Sequence, residues 1–327
     1  MARNFIIAAG ICVVAGIILA AFDFHGGQTD SFFLGSKSPE AFEQYKWTRV
    51  TESAAFSKSY NFQLLTHHDT LWAFHPDGNY FSLNGKNWTK SGLTNIIYNL
   101  AFLDYVPFNN SILGLGHLEG NIEKFTLTTE VNKTTDLKSW QLLAKESNLP
   151  KRFFYHPFVF NNKIWIVGGS DGKETYSDIW NSVDGVKWTK VADNAPFGKK
   201  DRQQFVVFKN KIFMLDNEVW TSGDGINWNL LTSRITWAPL FGYTPVVFDE
   251  KIWLIGCNRS GKFTSEVMVS CDGKSWEAQT APWSPRGGVA AAVYHGKIYM
   301  TGGKYGALFG EPDFVYSNDV WTLEKVR

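Results

Sequence analysis

Short runs of β-branched and aromatic residues alternate with turns along almost the whole chain. The clearest copy is Tyr176-Ser-Asp-Ile-Trp-Asn-Ser-Val-Asp-Gly-Val-Lys-Trp-Thr-Lys-Val191, which predicts a strand, a tight Asp-Gly turn and a second strand. The tryptophan after that turn recurs at Trp88, Trp140, Trp188, Trp228 and Trp276, at intervals of 40 to 52 residues. Upstream lies a second repeating element, a two-residue turn followed by an apolar run. It begins at His68, Asn109, Asn161, Lys209, Asp249 and His295. The apolar residues in these runs do not alternate cleanly with polar ones, which predicts strands packed on both faces. A β-hairpin unit repeating at this period predicts a β-propeller.

The two counts differ by one. After Asp319-Val-Trp321 the chain has room for a third strand but not a fourth, whereas Tyr45-Lys-Trp-Thr-Arg-Val50 matches Lys187-Trp-Thr-Lys-Val191 with nothing upstream to pair with. Residues 45–50 are therefore expected to supply the outer strand of the last blade, closing the ring and removing its exposed edges. The predicted fold is an all-β, six-bladed β-propeller over residues 45–327. Of the 14 tryptophans, twelve then fall in strands; Trp237 and Trp283 remain, both in loops.

These residues resemble the Kelch and galactose-oxidase-like propellers, of the bacterial Kelch-repeat type. The resemblance is carried by Gly168-Gly169 and Gly302-Gly303 after the second strand, the aromatic in the third strand and the tryptophan opening the fourth. Pro-x-Arg-like entries to first strands, at Lys151-Arg152 and Pro285-Arg286, add to it. Three blades depart from the glycine pair, with Gly116-His117, Asp216-Asn217 and Gly256-Cys257 in its place.

At the N-terminus, Phe5 to Phe22 carries no charge. At about 1.5 Å per residue such a helix just spans a bilayer core. Residues 1–23 are read as an N-terminal hydrophobic helix acting as a signal-anchor, the alternative being a signal peptide cleaved near Ala20-Ala21. With Arg3 before the run and Asp23 after it, the positive-inside rule places the propeller outside the cytoplasm, periplasmic or extracellular. Residues 24–44, with Gly26-Gly27 and Pro39, read as a linker. A net charge of +1 gives no long-range attraction to nucleic acid. Cys257 and Cys271 fall at opposite ends of one predicted hairpin, beyond bridging distance, and are expected to be buried thiols.

In a four-stranded antiparallel blade, the turns joining strands one to two and three to four share a face. Here these turns are short. The opposite face carries long, dissimilar loops such as Gly168–Asp178 and Gly302–Asp319. Variable loops on a rigid scaffold are where binding residues concentrate, so this long-loop face is the expected working face. Its candidates are Arg152, Arg202, Trp237, Trp283 and Arg286. Guanidinium groups suit carboxylates and exposed indoles suit sugar rings, so an acidic or carbohydrate-bearing ligand, or a protein, is the expected partner. Pro282 and Pro285 stiffen the loop holding Trp283 and Arg286, which lowers the ordering cost of binding.

The copper site of galactose oxidase needs two Tyr and two His, and no His pair here has that context. The turns Ser182-Val-Asp-Gly and Ser222-Gly-Asp-Gly resemble the Asp-box of sialidases but are one residue short between Asp and Gly. Glu311 and Asp313 can be nominated as glycosidase carboxylates, but nothing fixes their partners. No phosphate-binding loop, zinc-ligand spacing or Ser-His-Asp elbow is present. An interaction domain without metal or cofactor is the expectation; a sugar enzyme of the sialic-acid mutarotase or sialidase type is the alternative.

Overall fold

The structure, a computed structural model, describes residues 44–93, 100–121, 124–233, 240–259, 261–306 and 313–326. The expected N-terminal helix, nearly all of the linker and Trp237 lie outside the described residues. Among the described residues no helix is long and apolar enough to cross a membrane.

Six antiparallel sheets form six blades. The first strands, nearest the axis, are Gln63–His67, Leu100–Phe108, Phe158–Phe160, Gln204–Phe208, Thr244–Phe248 and Gly287–Tyr294. Each neighbours the next, and the last neighbours the first. The sixth blade is completed by Tyr45–Thr51, which pairs antiparallel with Val320–Lys325 and sets Trp47 opposite Leu323. The expected ring closure is present.

Local chemistry explains the blade. All six turns between first and second strands are two residues long, with both residues in the left-handed region, from φ 45 at His295 to φ 68 at Gly296. This turn matches the twist of the strands it joins, and Asn, Asp and Gly accept its backbone angles most readily. The turn between third and fourth strands is held by its own side chains. In blade three, Ser182 Oγ accepts the Gly185 N–H at 2.8 Å, while Asp184 Oδ1 accepts the Val186 and Lys187 N–H groups at 2.8 and 2.7 Å. Blades one, four and five repeat this with Asn84, Asp224 and Asp272. The glycine matters because the turn lies against the preceding blade: a Cβ on Gly225 would sit 2.7 Å from the Trp165 ring, and one on Gly273 2.5 Å from Phe213.

The core is correspondingly divided. Six apolar clusters fill the six interfaces between successive blades, including one that joins blade six to blade one through Phe62, Leu71, Tyr299 and Val320. The outer-strand tryptophans belong to these layers. Trp88, Trp188 and Trp228 are buried; Trp47, Trp140 and Trp276 are half-buried against the same clusters. Cys257 and Cys271 are free, as expected, but only Cys257 is buried. Cys271 occupies the solvent-facing second position of the Ser270–Gly273 turn, so the expectation of two buried thiols fails there.

Candidate functional site

Of the expected ligand-facing residues, three are inside the protein. Arg152 is 1% exposed. Its Nη1 donates to Gly168 O at 3.0 Å and Asp178 Oδ1 at 2.6 Å, its Nη2 to Asp178 Oδ2 at 3.1 Å, and its Nε to Pro150 O at 3.1 Å. The Asp178 carboxylate also accepts from Trp180 Nε1. Blade six builds the same brace: Arg286 donates to Gly302 O, Asp319 and Ser284 O, and Trp321 Nε1 donates to Asp319. Both guanidinium groups tie the end of a second strand to the start of a third. Trp283, expected as an exposed indole, is 4% exposed and packs edge-on against Trp47 at 4.3 Å. Its burial has a plain cause: the strand that closes the ring covers it.

Arg202 differs. It is exposed, its guanidinium lies 4.0 Å over the Phe154 ring, and its ion-pair contact is Asp201 at 3.6 Å. Its backbone is left-handed, φ 61, as is that of Phe154, φ 57. Aligning the blades on their two-residue turns shows why both are notable. The position seven residues before the turn is Asn61 in blade one, Phe154 in blade three, Arg202 in blade four, Gly242 in blade five and Gly288 in blade six. All five have φ between 53 and 69. They form a collar at the long-loop mouth of the ring, joined by backbone hydrogen bonds from Arg202 N to Phe154 O, Gly288 N to Gly242 O and Asn61 N to Gly288 O. Gly and Asn suit this conformation; Phe and Arg do so at a cost of about 1–2 kcal/mol each. Two adjacent strained residues that stack on one another mark the place where the ring departs from its own repeat.

Two residues deeper, the register equivalents are Gln63, Asp104, His156, Gln204, Thr244 and Ala290. The first five are half-buried and polar, in or just ahead of the first strands. Four titratable groups gather where blades two and three meet. His117 Nε2 stands 3.2 Å from Asp104 Oδ2 without the alignment of a hydrogen bond, and its ring stacks on Tyr155 at 4.0 Å. Burial, above all, pushes the Tyr155 hydroxyl well above its ordinary range. Burial is also the largest influence on His156, lowering its pKa; His117 and Arg202 lower it further, while Asp104 acts the other way. The arrangement offers one exposed guanidinium on an aromatic face and a histidine held neutral below it. Among the described residues no group of three or more His, Cys, Asp or Glu could hold a metal ion.

Sequence reading missed the collar because it followed the Kelch-like positions, where arginine braces. The signal available in the turn-aligned repeat is Arg202, the one charged residue in a column that otherwise reads Asn61, Phe102, Phe154, Gly242 and Gly288.

A family model described as the DUF6242 beta propeller domain matches residues 26–193 and 134–246. Among solved structures, one titled "Structure of YjhT" aligns with a TM-score of 0.65 at 12% identity, covering 84% of this chain and 100% of that one. At that identity the likeness is one of fold. No curated protein matches the chain in sequence.

Proposed function

This chain belongs to the DUF6242 beta propeller family, and on that scaffold we propose an interaction domain that binds an acidic or carbohydrate-bearing partner at the long-loop mouth of the ring. One observation carries the reading. The collar accepts strain at Phe154 and Arg202, where blades one, five and six place Asn or Gly, and the product is an exposed guanidinium lying 4.0 Å over an aromatic ring. Such a group is preorganised for a carboxylate, because the planar fork donates two parallel hydrogen bonds and the ring removes much of its freedom. Braces at Arg152 and Arg286 support a Kelch-like ancestry for blades three and six and keep the mouth rigid. The apolar run Phe5 to Phe22 supports an exported, membrane-anchored propeller.

A second reading, a sugar enzyme of the sialic-acid mutarotase type, is favoured by the Asp104–His117 pair and His156 beneath the collar. It requires turnover, which an interaction domain does not. Glycan and acidic-peptide arrays probed with the wild type, Arg202→Gln and Leu83→Asn test the binding face, Leu83 being an exposed residue of a short turn. Loss of binding in Arg202→Gln alone supports the long-loop mouth. Loss in Leu83→Asn alone puts the working surface on the other side of the ring.

A further inference from the structure

The fixed charges at the mouth do not balance an incoming anion. Against the Arg202 guanidinium stands the Asp201 carboxylate at 3.6 Å, while Asp104 lies on the first strand of blade two, beside the blade that carries His156. Asp104 faces His117, which is buried and stacked on Tyr155. A ligand carboxylate seated on Arg202 would displace the long Asp201 contact and add a second negative charge around one guanidinium. In a partly dehydrated mouth that arrangement is costly unless a positive charge arrives with it. His156 lies two residues beyond Phe154, on whose ring Arg202 rests, and as a residue it is only partly buried whereas His117 is fully so, which makes it the imidazole placed to receive a proton from solvent.

We propose that the mouth is a proton-coupled carboxylate site: the ligand's carboxylate docks on Arg202, and one proton enters with it and settles on His156. This rests on the long-loop binding reading and adds the ligand class and its pH control. The charged and titratable groups acting on His156 are Asp104, His117 and Arg202, and burial holds the unliganded ring neutral near pH 7. A bound carboxylate favours the charged form and raises the histidine pKa. Between the unliganded and liganded values the complex holds one more proton than the free protein. Affinity therefore falls about tenfold per pH unit as pH rises through that window and is flat outside it.

The test uses the full-length chain in detergent and glucuronate as probe, with glucose as the neutral control. Calorimetry in two buffers of different ionisation enthalpy reads proton uptake, and histidine ring resonances read its destination. The expected result is uptake of about one proton per glucuronate near neutral pH, an upward shift of the His156 titration and no response to glucose. Arg202→Gln should lose binding, and His156→Gln should bind with weakened pH dependence. Binding that needs Arg202 but takes up no proton overturns the coupling and leaves the binding reading intact. Uptake that persists in His156→Gln overturns the assignment to His156 and points to His117. Absence of glucuronate binding overturns the carboxylate site, and blank glycan and peptide arrays would remove the binding reading itself.

Discussion

Arg152 and Arg202 are the same residue type, on the same face, before the first strands of adjacent blades, yet they do opposite things. Arg152 is sealed: its donors go to two backbone carbonyls and the Asp178 carboxylate, and the Tyr176 ring lies 4.4 Å from its guanidinium carbon. Arg202 sits on a backbone that disfavours it, with its guanidinium open to solvent. A side chain that fits the repeat is more readily explained by the repeat. A side chain that strains the repeat needs another explanation, and at a mouth lined by polar groups a ligand supplies one.

The largest expected effects fall on the braces. Arg152→Ala leaves Asp178 half-buried without its bidentate partner, and Arg286→Ala does the same to Asp319. Each should destabilise the ring by about 3–5 kcal/mol. Urea midpoints measure this, and a loss under ~1 kcal/mol in both variants would make the braces incidental and erase the contrast with Arg202. Lysine should not rescue, since it lacks the planar fork.

The closing strand comes next. Trp283 is buried under Trp47, so Trp283→Ala should cost about 3–5 kcal/mol and Trp47→Ala less, because Trp47 keeps part of its ring in water. The two losses should not add, since each empties the same contact. Additive losses in the double variant would mean that the strand closes the ring without this indole pair.

These residues also show what was legible beforehand. Blade count, closure by Tyr45–Thr51 and the strand placement of nine of the twelve tryptophans follow from a period and a turn, both written in local sequence; Trp88, Trp140 and Trp276 sit one residue ahead of their strands. Trp283 was misplaced because it lies outside the repeat, and its burial depends on a strand more than 230 positions away in the chain. Arg152 and Arg286 were marked as arginines on a binding face. What seals them is a set of carbonyls and an aspartate brought together only when second and third strands pair. Arg202 was named correctly as a long-loop residue, but its collar needs backbone angles that composition does not give.

Relief of strain distinguishes the two arginines more finely. Arg202→Gly fits the φ of 61 without a Cβ clash, and gains back the left-handed penalty against a larger loss of freedom on folding. Its stability should match the wild type or exceed it by up to ~1 kcal/mol, while binding is lost. A drop of more than ~2 kcal/mol would show that Arg202 stabilises the ring as Arg152 does.

The smallest effect lies on the opposite face and tests whether the short turns are purely structural. The Asp224 pKa is lowered to about 2. Partial burial, the largest single influence, opposes this, but hydrogen bonds from the Asn227 side chain, the Asn227 and Ile226 N–H groups and the Ser222 hydroxyl together outweigh it. The folded value is below that of the unfolded chain, so the turn contributes stability above about pH 4 and loses it as pH falls toward 2. Because the carboxylate is exposed, the contribution should be ~0.5 kcal/mol or less. Asp224→Asn keeps an acceptor for the same N–H groups but carries no titrating charge. Urea midpoints at pH 5, 3 and 2 should therefore fall slightly less steeply for the variant than for the wild type. Parallel losses would mean that the turn does not hold its carboxylate down.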